Sequence, residues 1–148
     1  MAEAWLEEIP TEECVNLLRS GVVGRIGIVY NDRPLVLPVN YRVIDVGSQV
    51  WIIIRTRTGN VIDRAGPAVA LEVDGVDVAH ERGWSVMVAG GLYHVDVSEE
   101  PSNWSEAHSW IVEDRESWLI IKPDSITGRR LQAATREWAF HPSAYLAP

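Results

Sequence analysis

Apolar and polar positions along the chain change period once near the start and then settle into strand-like runs. Over residues 11–20, TEECVNLLRS, the apolar residues Cys14, Leu17 and Leu18 recur at i, i+3 and i+4. That spacing predicts a short helix, with Thr11 as its cap, Glu12 and Glu13 in the first turn, and Gly21 as its stop. From there the pattern reads as strands. VVGRIGIVY (22–30) leads through the turn Asn31-Asp32-Arg33 into PLVLPVNYRVI (34–44). A second turn, Asp45-Val46-Gly47-Ser48, leads into QVWIIIRT (49–56). Short links between three such runs predict an antiparallel meander.

Residues 58–66, TGNVIDRAG, read as one or two helical turns, with Thr58 as cap and Gly66-Pro67 as terminator. Strands are expected at 67–75 and 84–97. The second is interrupted by Gly90-Gly91, a pair that marks a bulge or a sharp bend. A helix over 99–112 and a last strand over 117–129 complete the series. About six strands with two or three short helices and no βαβ alternation predict a mostly β fold: a small antiparallel barrel with a few short peripheral helices. No repeat or linker divides the chain, so a single domain over 1–148 is expected.

Composition narrows the partners. Net charge is −8 over 148 residues, which argues against nucleic acid and against an anionic membrane surface. No apolar run reaches membrane-spanning length. The acidic start lacks the basic segment of a secretory leader, and the one cysteine, Cys14, fits a reducing compartment. A cytoplasmic location is the expectation. Within this acidic chain, residues 55–64 carry Arg55, Arg57 and Arg64 against only Asp63.

That basic spot coincides with RTRTGN, residues 55–60. Strand alternation puts Arg55 and Arg57 on one face and Thr56 on the other. Thr58, Gly59 and Asn60 would then open a helix whose free N–H groups suit a phosphate. Arginine adds bidentate donors, threonine adds hydroxyls, and glycine allows close backbone approach. A solvated strand end followed by a capped turn accounts for the same residues. PVNY, Pro38 to Tyr41, places a proline and an asparagine in a strand. It marks either an edge or a backbone turned toward a planar polar ligand. Gly83-Trp84-Ser85 offers an aromatic wall, or simply a packed tryptophan. His80, His94, His108 and His141 have no metal-ligand spacing. Cys14 reads as core. No acid pair or nucleophile signature stands out, so any catalysis would draw on a cofactor.

Taken in order, the motifs ECVNLLRSG, VVGRIGIVYNDRPLVLPVNYRV, WIIIRTRTGNVIDRA, VALEVD and GWSVMVAGG form a series. The series resembles the FMN-binding split barrels of the pyridoxamine 5′-phosphate oxidase type. The resemblance implies a six-stranded split β-barrel and a homodimer with FMN at the interface. It implies that Arg55, Thr56, Arg57, Thr58, Gly59 and Asn60 hold the flavin phosphate. It lays Pro38, Val39, Asn40 and Tyr41 along the ring and brings Trp84 and Ser85 near it, often from the partner subunit. Family members often carry lysine where this chain has Asn60. The tail WAFHPSAYLAP does not align with the basic C-terminal segment that reads a vitamin B6 phosphate.

The function expected from this resemblance is flavin hydride or electron transfer to a small organic substrate. A deazaflavin-dependent reductase on the same scaffold, or a non-catalytic cofactor or small-ligand binder, fits the same residues.

Overall fold

The computed structural model describes residues 5–57, 59–95 and 116–132. Their elements run in the order β1 (Trp5–Ile9), α1 (Thr11–Ser20), β2 (Val23–Tyr30), β3 (Arg33–Val46), β4 (Gln49–Arg57), β5 (Ala68–Asp77), β6 (Arg82–Val95) and β7 (Glu116–Gln132). All strand pairs are antiparallel. Strands line up as β1-β7-β4-β3-β2-β5-β6, and β6 also pairs with β7. That last pairing closes a ring through β7, β4, β3, β2, β5 and β6, which is the predicted split barrel. The seventh strand, β1, lies outside the ring on β7, opposite residues 128–132. Its five residues carry no clear alternation, so the sequence pattern passed over it.

Two predicted segments take a different form. Thr11 does not cap α1; Pro10 occupies the N-cap with extended backbone and no side-chain hydrogen bond. Its fixed φ and missing N–H suit the chain entering a helix. Residues 59–66 form successive turns rather than a helix. Gly59 has φ of +80°, a left-handed conformation that stops helical propagation at once. Thr58 and the segment 99–112 lie outside the described residues.

Turns elsewhere follow the sequence. Asn31 and Asp32 both have positive φ, 51° and 59°, as a tight two-residue hairpin requires. The Gly90 bulge is present, as a register shift against β7 between Ala89 and Gly90.

The barrel interior holds the main core, including Ile26, Ile28, Ile52, Ile54, Leu71, Val86, Val88, Leu119 and Ile121. Helix α1 seals one end with Cys14 and Leu18, both fully buried. The Cys14 thiol donates to the Ile9 carbonyl at 3.5 Å, and burial pushes its pKa up, so it behaves as core. A second buried cluster of Ile44, Ile53, Trp118 and Ile120 lies on the opposite face of β3, β4 and β7.

Candidate functional site

The strand register builds the site. β3 is long enough to serve two neighbours in turn. Its first half pairs with β2, from Arg33↔Tyr30 to Asn40↔Val23. Its second half pairs with β4, from Tyr41↔Ile54 to Val46↔Gln49. β4 continues past Ile54 through Arg55, Thr56 and Arg57, but there it pairs only with β7. β3 and β4 therefore part at Tyr41 and Ile54. The two motifs singled out by sequence, PVNY and RTRTGN, line the two sides of that opening.

Alternation decides which side chains face it. Ile52 and Ile54 belong to the interior core and Ile53 to the outer cluster. Arg55 and Arg57 therefore point outward with Ile53, and Thr56 points inward. On β3, Val39 and Tyr41 are buried in the core, so Pro38 and Asn40 face outward. The outward pairs Pro38, Asn40 and Arg55, Arg57 thus flank the opening on one surface. Pro38 lies opposite Arg25 of β2 and has no β4 partner, so it occupies an edge only locally. Val39 and Tyr41 can meet a surface ligand only through backbone. The Tyr41 hydroxyl donates to the Leu18 carbonyl at 2.5 Å, and burial pushes its pKa up to about 12.

Beyond Arg57 the chain folds back in a turn, with Asn60 N–H donating to the Arg57 carbonyl at 3.2 Å. Asp63 is the hub of this loop. Its carboxylate accepts from Gly59 N–H at 2.7 Å, from the Ser117 hydroxyl at 2.7 Å, and from His94 Nε2 at 2.9 Å. Burial by itself would raise its pKa. The hydrogen bonds from Ser117, Gly59 and His94, with the His94 charge, outweigh it and hold the carboxyl below the usual range. Asn60 completes the net: its Oδ1 accepts from Asp63 N–H at 3.0 Å, and its Nδ2 donates to Thr56 Oγ1. Asn60 and Thr56 are thus braces of the turn. The Gly59 amide, which the sequence offered to a phosphate, already has an anion. Arg55 and Arg57 stand on the outer face just before this turn. Arg55 itself stacks on Trp118, 5.0 Å from the ring centroid, which orients it along the outer face.

Trp84 and Ser85 lie elsewhere. Trp84 sits at the end of β6 opposite Gly75 and Arg130, whereas the layer of Arg55 and Trp118 meets the other end of β6 at Val95. The Trp84 indole lies over Gly75, where a β-carbon would come within 2.5 Å of its Nε1. It lines a cleft of about 650 Å³ with Glu7, Asp77, Arg82 and Arg130. Ser85 points to the outer face, opposite Asp74 and Arg129. The chain brings the PVNY and RTRTGN motifs together and leaves Gly83-Trp84-Ser85 apart from them.

Sequence reasoning passed over Asp63 as a structural hub. It also passed over a carboxylate pair, Glu72 and Asp74, on the outer face of β5. Arg25 Nη1 lies 2.7 Å from Asp74 and 3.5 Å from Glu72. The signal was available, since Glu72 and Asp74 are two apart in a strand and must share a face. Among the described residues, no group of three or more His, Cys, Asp or Glu side chains is placed to hold a metal ion. No helix among them is long and apolar enough to cross a membrane.

A family model for pyridoxamine 5′-phosphate oxidase matches residues 10–130. The chain belongs to that family. Its flavin-binding relatives include the FAD binding protein of Mycobacterium smegmatis, 28% identical with a TM-score of 0.72. That match covers 86% of this chain and 99% of the other. An uncharacterized Mycobacterium tuberculosis protein, Rv0080, is 28% identical over 87% of this chain and 88% of its own. An FAD-binding protein of Mesorhizobium loti, 21% identical, shares the fold with a TM-score of 0.71. Its match covers 88% of this chain and all of the other, 100%. Family and neighbours together support a flavin-binding split barrel.

Proposed function

We propose that the protein binds FMN at the opening between β3 and β4 and uses it as a flavin-dependent oxidoreductase on a small organic substrate. The observation that carries this reading is the parting of the two strands at Tyr41 and Ile54, which sets Pro38 and Asn40 across from Arg55 and Arg57. The residues fit a phosphate-bearing planar cofactor. Guanidinium donors flank one side of the opening, and a β3 edge free of β4 flanks the other. The fit rests on arginine rather than on the Gly59 amide, which Asp63 occupies. A bound flavin would supply hydride or electron transfer. The chain would hold the phosphate through Arg55 and Arg57 and align the ring along the backbone of residues 38–41.

Trp84 and Ser85 reach such a site only from a second copy, so this reading includes a homodimer with the cofactor at the interface. The outer face of β2, β3 and β6 carries the exposed apolar residues Val23, Val29, Val36 and Met87, which suit such a contact. A cytoplasmic location accompanies it.

FAD is a second reading, favoured by the 28%-identical M. smegmatis relative that binds it. Purification without added cofactor, followed by the visible spectrum and the mass of what is released, tests both. A mass of FMN supports the first reading and a mass of FAD the second. A colourless protein that leaves the fluorescence of both flavins unchanged overturns the two together.

A further inference from the structure

The inner face of the sheet continues past the core. Val86 and Val88 of β6 are fully buried, and alternation puts Trp84 and Arg82 on their side. On β5, Leu71 and Val73 place Gly75 and Asp77 there. Ile126 does the same for Arg130 on β7, and Ile9 for Glu7 on β1. The pairings Glu7↔Arg130, Arg130↔Trp84 and Trp84↔Gly75 set four residues in one row across four strands. That row, with Arg82 and Asp77, lines the cleft of about 650 Å³ at the start of β6. A small organic molecule fits a space of this size.

Gly75 shapes the floor. A β-carbon there would meet three indole atoms of Trp84 at 2.5, 2.7 and 3.0 Å. The glycine thus lets the ring lie against β5 and present a flat apolar surface. The charges around it are unequally engaged. Arg130 gives both terminal nitrogens to Glu13 of α1. Asp77 stands opposite Arg82 in the β5–β6 register, yet its carboxylate contacts His80 Nδ1 at 2.8 Å and accepts from the His80 N–H at 3.2 Å. Arg82 is exposed, and among the described residues no hydrogen bond or ion pair engages its guanidinium.

We infer that this cleft is a ligand site of its own, taking a planar aromatic monocarboxylate whose ring stacks on Trp84 and whose carboxylate pairs with Arg82. Arg82 stands two residues from Trp84 on the same strand, about 7 Å along it, within reach of a carboxylate on the edge of a stacked ring. Glu7 lies two strands from Trp84 in the same row, roughly 10 Å away, and repels a second carboxylate at the far edge. The site lies at the Arg82 end of the fourteen-residue β6, and Val95, at the other end, meets Trp118. Ser85 points to the opposite face of β6 and takes no part. The assignment does not rest on the flavin reading: it gives Trp84 a ligand within its own chain, where the dimer reading brings Trp84 to the cofactor of a second copy.

Titrations of the full chain with 2-naphthoate and its neutral amide, 2-naphthamide, test the inference. The carboxylate is expected to bind about tenfold tighter than the amide, the worth of one charge-assisted contact. Arg82→Ala is expected to remove that difference by weakening 2-naphthoate alone, and Arg82→Lys to recover part of it. In the wild type, 2-naphthoate is expected to shift the indole N–H resonance of Trp84, identified by its absence from the Trp84→Phe spectrum. No binding of 2-naphthoate, equal affinity in Arg82→Ala, or an unmoved Trp84 resonance overturns the site. Tighter binding of 2,6-naphthalenedicarboxylate than of 2-naphthoate overturns the ligand class. Displacement of 2-naphthoate by FMN overturns the site's independence, because the cleft would then belong to the cofactor. A protein that binds no flavin yet gives the expected naphthoate results keeps this site and loses the flavin reading.

Discussion

Tyr41 and Ile54 are the last pair that β3 and β4 share; Tyr41 is the final residue of PVNY, and Arg55, the residue after Ile54, opens RTRTGN. The parting comes where β3 changes partner: it pairs with β2 as far as Asn40 and with β4 only from Tyr41, while β4 stays with β7 through Arg57. Beyond the parting β3 keeps β2 and β4 keeps β7 as partner.

Arg55 lies just past that parting and contacts the Trp118 ring. Arg55→Ala is expected to weaken FMN by about one to two decades, or roughly 1.5–3 kcal/mol. Because the stacking on Trp118 is lost as well, riboflavin titration reports how much of the change is structural. An FMN dissociation constant equal to wild type would move the phosphate site away from β4.

Asp63 links the loop to β6 and β7, so its loss should register in stability without any ligand. A carboxyl held below its ordinary value stabilises the fold above that value and stops doing so as pH falls through the lowered one. Asp63→Asn is expected to cost about 1–3 kcal/mol at pH 7. The gap between variant and wild type should narrow toward pH 3. Urea unfolding at both pH values measures it. A gap that widens in acid would contradict the hydrogen-bonded carboxylate.

Glu72 has the opposite sign. Burial, then the hydrogen bond and charge of Asp74, push its pKa up from 4.5 to about 7, against the pull of Arg25. The folded protein keeps this proton while the unfolded chain loses it. The group therefore costs stability increasingly as pH rises from about 4.5 to about 7. Glu72→Gln should raise the unfolding midpoint at pH 8 relative to wild type, and the benefit should shrink at pH 5. Its side chain is 37% exposed, so solvent screening keeps the effect small. A larger benefit at pH 5 than at pH 8 would rule this account out.

Two glycines should respond to alanine differently. A β-carbon on Gly90 would sit 2.9 Å from the Lys122 carbonyl carbon and 3.0 Å from Pro123 Cα, all backbone at the bulge. Gly90→Ala is expected to cost about 2–4 kcal/mol. At Gly47 the space is open and only φ of +61° resists, so Gly47→Ala should cost about 1 kcal/mol. Thermal melts of the two variants give the comparison; equal costs would mean that the bulge yields.

Much of the fold was legible because most strands bury one face and expose the other. The runs at 22–30, 34–44 and 49–56 are bounded by turn residues that the backbone uses as turns, with Asn31, Asp32 and Gly47 all at positive φ. The loop at 59–66 was not legible as turns. Val61 and Ile62 look like helix contacts, and only the left-handed Gly59 excludes a helix. β1 escaped notice because its pairing with residues 128–132 is long-range and leaves no local period. Within the site, residue types pointed to an anion, but local sequence could not reveal that Ser117 and His94, 54 and 31 residues away, converge on Asp63. The outward-facing role of Pro38 and Asn40 was equally hidden, since it depends on where β4 leaves β3.

β7 pairs with β1, β4 and β6, and without it the ring has no closure. This sets an order of events during synthesis. The hairpins from β2 to β4 and from β5 to β6 can form as they emerge, but each keeps an unpaired edge until residues 116–132 arrive. The final step joins strands far apart in sequence, which slows folding and prolongs the life of sticky edges. A chain stopped ahead of Glu116 should therefore accumulate as an aggregating, protease-sensitive species, and the full chain should gain protection in one late phase of pulsed hydrogen exchange.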